Sequence, residues 1–320
     1  MVSTRSIARP RHRRSMAILG AMLAAVVTLT SCSSSEEASV DGVSASGGPY
    51  TVEHAMGQTT LDSVPERIVV IDSPHLDALV ALGITPVGAT ESGAGAGFPT
   101  YLADRLVDTE SVGATSEPDL ESIANLAPDL IIGAQVRHEA LYDKLSAIAP
   151  TVFSINSGTD WKEQANITAA AVDRTAEMDE LLSALDTRAT QVGTDVGAAG
   201  QTASMVRFRP ENFRLYGPNT FSGSILTQVG FELGERDWNE YSMMELSPEF
   251  YPEIDGDVVL YTNPGGDPNA TTMGAVTGLW GSLPAVQSGK TYEVEDETWM
   301  VGIGVVGAGL ILDQIEEKLS

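Results

Sequence analysis

The sequence predicts an α/β protein with two Rossmann-like lobes of mainly parallel sheet, joined by a single long α-helix. Short apolar strands alternate with helical segments on both sides of residues 158–200, the pattern of parallel sheets covered by helices. The segment between them has apolar residues at three- and four-residue steps and contains no proline. A similar helix–strand unit also occurs once on each side of that segment.

Residues 1–31 have the composition of an export signal. Five arginines precede an apolar run from Met16 to Thr30, which is shorter than a comfortable membrane span. The run ends in Leu29-Thr30-Ser31-Cys32, which resembles the lipobox of bacterial lipoproteins, and Cys32 is the only cysteine. We therefore expect Cys32 to carry the acyl chains and residues 32–49, rich in Ser, Gly and Ala, to form a flexible tether.

Residues 50–157 are predicted to form the N-terminal lobe. Within residues 67–72, the stretch 68–71 between Arg67 and Asp72 is continuously apolar, as in a strand buried on both faces. The other predicted elements are a hairpin at 50–60, helices at 74–82, 119–127 and 138–148, strands at 85–90, 129–133 and 151–155, and a glycine-rich loop at 91–98.

Residues 158–200 are predicted to be the connecting helix. Apolar positions from Trp161 to Val196 follow the helical period, and Ala, Leu, Glu and Met favour helix. A helix of this length would reach about 45–55 Å and span two lobes. The alternative is two shorter helices with a break near Asp186.

Residues 201–320 repeat the same alternation and are predicted to form the C-terminal lobe. Strands are expected at 204–209, 257–262 and 291–295, and helices at 221–229, 248–254, 271–283 and 305–319. The stretch from Asp119 aligns without a gap with the stretch from Ser247, which matches Glu121 with Glu249 and Asp129 with Asp257.

Composition excludes several classes of protein. Without residues 1–31 the chain has 13 basic and 44 acidic side chains, a net charge of −31 that disfavours nucleic acid as a partner. The sequence contains no Gly-x-Ser-x-Gly and no His-Glu-x-x-His, so we expect no enzyme and no cofactor. Gly302, Gly304 and Gly307 match a dinucleotide fingerprint, but no second strand follows, so they predict close packing at a helix start.

Histidines offer an alternative metal site. His75 and His138 both follow predicted strand ends, and with a carboxylate such as Asp267 they would suit Zn²⁺ or Mn²⁺. Two histidines without a His-rich loop are weak support, so no metal is expected.

Arginines favour an anionic ligand instead. Arg137 follows a strand, and Arg207 and Arg209 lie two residues apart, on one face of a strand. Guanidinium groups present a fork of donors to oxygen atoms. Trp161, Tyr216 and Trp299 are predicted to line the same cleft and to pack against the organic part of a large ligand.

Several motifs in order resemble the substrate-binding lipoproteins of iron(III)–siderophore ABC importers, in which one helix joins two α/β lobes. They include Pro65-Glu-Arg67-Ile-Val-Val, Glu117-Pro-Asp-Leu-Glu121, Leu126-Ala-Pro128-Asp129-Leu-Ile and Trp299-Met-Val-Gly302. The resemblance implies a monomer that carries a ferric siderophore to a membrane permease with a cytoplasmic ATPase.

The resemblance also implies roles for individual residues. Arg137 matches a cleft arginine of catecholate-binding relatives, whereas Gly217-Pro218-Asn219-Thr220-Phe221 lacks another arginine of that family. Glu121 matches a surface glutamate that docks on the permease. The alignment of the two halves of the chain, and not the resemblance, makes Glu249 its candidate counterpart on the other lobe. The alternatives left open are a haem or cobalamin carrier of the same fold, a Zn/Mn carrier using His75 and His138, a hydrolase, and an adhesive lipoprotein.

Overall fold

The structure, a computed structural model, describes residues 48–92 and 97–320. The predicted signal (1–31), Cys32, the tether up to residue 47 and positions 93–96 of the glycine-rich loop lie outside the described residues. No helix within the described ranges combines the length and apolar character needed to cross a membrane.

The N-terminal lobe is built on a six-stranded sheet with the order β6-β5-β4-β3-β7-β8, parallel except for the β5–β6 pair. Its elements are β1 (Tyr50–His54), β2 (Gly57–Leu61), β3 (Ile68–Val70), α1 (Ser73–Ala81), β4 (Gly88–Glu91), β5 (Glu110–Ala114), β6 (Glu117–Pro118), α2 (Leu120–Asn125), β7 (Leu130–Ala134), α3 (Gln135–His138), α4 (Tyr142–Ser146) and β8 (Thr151–Ser154). The hairpin β1–β2 is a separate antiparallel pair. Strands β3, β7 and β8 are buried along their whole length, as continuous apolar runs predict.

The C-terminal lobe has a five-stranded sheet with the order β11-β10-β9-β12-β13. Its elements are β9 (Ala203–Phe208), β10 (Phe213–Tyr216), α7 (Phe221–Val229), β11 (Met243–Leu246), β12 (Val258–Thr262), α8 (Met273–Thr277), α9 (Pro284–Ser288), β13 (Thr291–Glu293) and α10 (Val305–Leu319). β9, β12 and β13 are parallel, whereas β10 pairs antiparallel with both β9 and β11. Strands β10 and β11 are absent from the sequence prediction.

The prediction of one continuous connecting helix is wrong. The segment forms two helices, α5 (Trp161–Ala171) and α6 (Thr175–Asp195), and the break lies at residues 172–174 rather than near Asp186. Asp173 has a left-handed φ of 54°, and the amide of Arg174 donates to the carbonyl of Ala169 at 2.8 Å, a Schellman-type helix end. Aspartate tolerates this conformation better than most residues do, so the chain can reverse here.

The two helices fold back on each other as a hairpin. Lys162 at the start of α5 forms an ion pair with Asp186 in the middle of α6 at 2.5 Å. Helix α6, with 21 residues, is about 30 Å long. It packs against α7 and α10 of the C-terminal lobe, while α5 packs against α1 of the N-terminal lobe. The connector is therefore a helical hairpin with one helix against each lobe.

The recurring helix–strand unit occupies equivalent places in the two sheets. The side chain of Asp129, just before β7, accepts hydrogen bonds from the backbone of Glu66 and Arg67, just before β3. Asp257, just before β12, does the same for the backbone of Thr202, just before β9. Each aspartate thus links the starts of two neighbouring parallel strands, which supports the alignment of the two halves.

Residues from both lobes share one apolar core. It runs from α1 through α5 and α6 to α7 and α10. At the edge of this core, Asp77 of α1 is fully buried. Its carboxylate oxygens accept hydrogen bonds from the backbone amides of Val306 and Gly307, at N–O distances of 2.8 and 3.0 Å. A side chain at Gly304 would collide with Asp77, so the fingerprint glycines do serve close packing at a helix start.

Candidate functional site

A cleft lies between the two lobes and is lined by residues of both. Its cavity has a volume of about 250 Å³. The lining comes from the ends of β7 and β8, the start of α7, strand β10, and the segment before α10: Arg137, Ser157, Gly158, Thr159, Arg214, Tyr216, Thr220, Phe221, Ser222, Tyr241, Met243, Trp299, Met300 and Ile303. This is the place where ligands bind in open parallel sheets, beyond the carboxyl ends of the strands.

Arg137 supplies the positive charge on the N-terminal side. It lies in α3, directly after β7, and its Nε contacts Oδ1 of Asp72 at 3.3 Å. The Asp72 side chain is buried, while 48% of the Arg137 side chain is exposed. Because only Nε is engaged, the rest of the guanidinium fork is free to bind oxygen atoms in the cleft. The structure therefore places this predicted residue in the cleft.

Arg214 and two tyrosines face it from the C-terminal side. Arg214 and Tyr216 lie two residues apart on β10, and Tyr241 precedes β11. Arg214 is positioned by an ion pair with Glu245 of β11 at 2.8 Å. Tyr241 is 49% exposed, which leaves its ring available to a ligand. Of this group, only Tyr216 belongs to the predicted site.

Arg207 and Arg209 do not line this cavity. Arg207 forms an ion pair with Asp296 at 2.7 Å, and Asp296 also accepts the hydroxyl of Thr262. Both arginines line a neighbouring cavity of about 520 Å³, which shares Arg214 with the cleft. The clustering expected from their spacing is present, but it lies beside the cleft and not in it.

The two predicted tryptophans are both buried. Trp161 is 4% exposed; it packs edge-on against Phe221 at 5.4 Å between ring centroids and donates to Ser224. Trp299 lies beneath the cleft cavity with 0% exposure, and its Nε1 donates to Gln314 at 3.0 Å. Trp161 is not among the residues that line the cavity, whereas Trp299 lines it although its ring is buried. Contact of either ring with a ligand stays a prediction. Helical spacing correctly marks Trp161 as buried, but it does not distinguish core from cleft.

The histidine alternative also fails. Both nitrogens of His75 are engaged, with Thr168 at 2.8 Å and Ser154 at 3.0 Å, and burial lowers its pKa to about 4. His138 contacts the carbonyl of Thr115 at 2.8 Å and the amide of Ala134 at 3.4 Å, and burial lowers its pKa. Within residues 48–92 and 97–320, no cluster of three His, Cys, Asp or Glu side chains suits a metal ion. The histidines stabilise the lobe.

Sequence reasoning included Tyr216 in the site but did not predict strand β10, on which Tyr216 and Arg214 lie. The alternation Phe213-Arg-Leu-Tyr216, with Phe213 and Leu215 buried, is the period of a strand and is the signal that places Arg214 beside Tyr216. Val136 and Ile155, after the ends of β7 and β8, are 53% and 55% exposed, and the amide of Val136 donates to the carbonyl of Ile155. No local pattern distinguishes these exposed apolar residues from ordinary strand-end residues.

Two α/β lobes facing each other across a cleft, with a guanidinium group on each side, define a solute-binding protein. Residues 68–298 match the model of the family Peripla_BP_2, periplasmic binding protein. The chain belongs to this family.

Individual relatives cover nearly the whole chain. A probable siderophore-binding lipoprotein of Bacillus subtilis, YfiY, is 37% identical over 319 residues, 95% of this chain and 98% of that protein. The Fe(3+)-citrate-binding protein YfmC of the same organism is 29% identical over 301 residues, covering 91% of this chain and 92% of that one. The crystal structure of Staphylococcus aureus SirA with staphyloferrin B superposes with a TM-score of 0.74 and 30% identity, over 84% of this chain and 98% of that one.

Proposed function

We propose that this protein captures a ferric siderophore in the interlobe cleft and delivers it to an ABC importer for iron uptake. The proposal rests on the positive charge of the residues that line the cleft. Arg137 and Arg214 face it from opposite lobes in a chain whose net charge without residues 1–31 is −31. A local positive site in such an acidic protein suits an anionic chelate, whose oxygens accept from the guanidinium forks. The relatives named as a probable siderophore-binding lipoprotein (YfiY) and an Fe(3+)-citrate-binding protein (YfmC), and the SirA structure with staphyloferrin B, support the same ligand class.

The aromatic and apolar lining suits the organic shell of such a chelate. Tyr216 and Tyr241 offer ring faces and hydroxyl groups, while Met243, Met300 and Ile303 are apolar. Binding sites for small molecules typically combine a mostly apolar wall with a few polar groups that fix orientation. Arg137 and Arg214 fill that second role here.

Fluorescence titration tests this function. Trp299 underlies the cavity, so a coloured ferric complex bound in the cleft will quench its emission. The panel should contain ferric complexes of catecholate, hydroxamate and carboxylate siderophores, together with haem and cobalamin. We expect saturable quenching by at least one ferric siderophore at low micromolar concentration. Quenching by haem or cobalamin alone would contradict the proposal.

Two exposed glutamates are proposed to dock on the permease. Glu121 lies in the first turn of α2, and Glu249 lies in the 3-10 turn Pro248–Glu253. The matching hydrogen bonds of Asp129 and Asp257 support an equivalent position for the two glutamates in the two lobes. Exposed charge pairs mainly set the rate and orientation of association.

Transport assays separate docking from ligand capture. Replacing Glu121 and Glu249 by alanine should lower uptake of the iron complex while its affinity for the purified protein is unchanged. Glu180, exposed on α6, provides the matched control. An equal loss in the Glu180→Ala protein would remove the docking role.

The protein is also proposed to be anchored to the membrane through acyl chains on Cys32. Its support is the sequence Leu29-Thr30-Ser31-Cys32 after an apolar run, together with the lipoprotein names of relatives. A Cys32→Ser protein should appear in the soluble fraction of cells, whereas the unaltered protein should sediment with membranes. Identical fractionation of the two would argue against the anchor.

A further inference from the structure

The cavity beside the cleft is the larger of the two. Its volume is about 520 Å³, and its lining includes Arg207, Arg209 and Arg214 together with Pro210, Pro264 and Thr271. Arg214 also lines the cleft cavity, so the two spaces adjoin at this side chain. The cleft cavity alone, at about 250 Å³, is smaller than the roughly 300–1,000 Å³ typical of small-molecule sites. A bulky ligand therefore has room to extend past Arg214.

Two of these arginines lie directly opposite each other. Arg207 of β9 pairs with Arg214 of β10 in the antiparallel register, which places both side chains on one face of the sheet. Like charges in this position repel each other and destabilise the sheet. Asp296 and Glu245 each neutralise one of them. The Nε of Arg207 is buried and has no hydrogen-bond partner.

Arg209 adds a third guanidinium without an acid to balance it. Its backbone is fixed, because its amide donates to Asn212 at 2.9 Å and its carbonyl accepts from Thr272 at 2.8 Å. Across the described ranges, it is the one arginine whose side chain has neither a carboxylate within 4.0 Å nor a hydrogen bond to the protein. In so acidic a chain, three clustered arginines with two acidic partners leave a net positive charge that an anion would offset.

We propose that the cavity bounded by Arg207, Arg209 and Arg214 is an anion subsite that binds a carboxylate arm of the ligand held in the cleft. This inference rests on the proposed function and narrows the ligand to ferric siderophores that carry a carboxylate not bound to iron. Arg214 contacts both parts of such a ligand, and Arg209 supplies the free donors for the arm. The subsite thereby distinguishes siderophores by their periphery and not by their iron-binding groups.

Two ferric siderophores make a matched pair of probes. Aerobactin and schizokinen hold iron through the same citrate and hydroxamate groups, but aerobactin has two further carboxylates that do not bind iron. Arg209→Gln removes the unpaired charge without breaking an ion pair. Arg174→Gln, on the exposed start of α6, is the control for loss of one positive charge. Affinities are measured by calorimetry at fixed ionic strength, because contacts between exposed charges weaken with salt.

We expect Arg209→Gln to weaken binding of ferric aerobactin about tenfold and of ferric schizokinen less than twofold, as for one charge-assisted contact. Arg174→Gln should change neither affinity. Equal effects of Arg209→Gln on the two complexes, or no effect on either, would overturn the subsite while leaving the proposed function intact. If ferric siderophores without a free carboxylate bind the unaltered protein and ferric aerobactin does not, the arm is also excluded.

Iron-free citrate distinguishes a free anion from an arm of the ligand. Binding of citrate that is lost in Arg209→Gln, with both chelate affinities unchanged, would assign the cavity to a free anion and overturn the arm contact. Absence of binding by every ferric siderophore would remove the proposed function itself. Failure of the arm contact leaves binding of some ferric siderophore intact, whereas failure of the proposed function abolishes binding of all of them. The two failures are therefore distinguishable.

Discussion

Replacing Asp77 by asparagine should change how the stability of the protein depends on pH. Asp77 is fully buried between the lobes, and burial raises its pKa to about 6 despite the hydrogen bonds from Val306, Gly307 and Tyr101. In the unfolded chain the pKa of an aspartate is about 4. The folded state therefore retains a proton on Asp77 over a range of pH in which the unfolded state has lost it.

The sign and size of the effect follow from linkage. A raised folded-state pKa contributes stability that is fully present below pH 4 and is lost as the pH rises through 6. The difference between a pKa of about 4 and a pKa of about 6 corresponds to about 3 kcal/mol. Asparagine does not titrate, so this contribution is absent from the Asp77→Asn protein.

Denaturant unfolding of both proteins between pH 4 and pH 7 measures the effect. Other titrating groups are common to the two proteins and cancel in the difference between their free energies of unfolding. We expect this difference to move by about 2 kcal/mol in favour of Asp77→Asn as the pH rises from 4 to 7, because part of the full contribution is already lost at pH 4. A constant difference, or movement in the opposite direction, would mean that the hydrogen bonds outweigh burial and would refute the reasoning.

Three further predictions concern the cleft and the core. Arg137→Gln should weaken binding of a ferric siderophore about 10- to 100-fold in calorimetry, since it removes charge-assisted donors from the cleft; an unchanged Kd would contradict the site. Gly193→Ala should lower the free energy of unfolding by about 1–3 kcal/mol, because an added Cβ would collide with the carbonyl of Val229; an undiminished Tm would show that α6 and α7 can separate freely. His75→Ala should lower the free energy of unfolding by about 2–4 kcal/mol, because it removes packing and the hydrogen bonds to Thr168 and Ser154, and should leave siderophore affinity unchanged. If the unaltered protein bound Zn²⁺ stoichiometrically and this variant did not, the metal alternative would be restored.

The sequence determined those features of the fold that depend on local pattern. Helices α7 and α10 occur where the apolar period places them, and the buried strands β3, β7 and β12 follow from continuous apolar runs. The match between Asp129 and Asp257 also holds in the structure. Each aspartate directly precedes one strand, and its side chain accepts a hydrogen bond from the backbone of the residue that precedes the neighbouring parallel strand. Side-chain period and backbone preference act over a few residues, so a single sequence reports them directly.

Only the tertiary structure decided which partners bury each residue. The period from Trp161 to Val196 fits one helix or two equally well, and packing of α5 and α6 against different lobes selects the reversal at Asp173. The same period marks Trp161 as buried but cannot say that Phe221 covers it. Pairing of β10 with β9 brings Arg214 opposite Arg207, a contact set by strand register and invisible in the spacing of either segment alone.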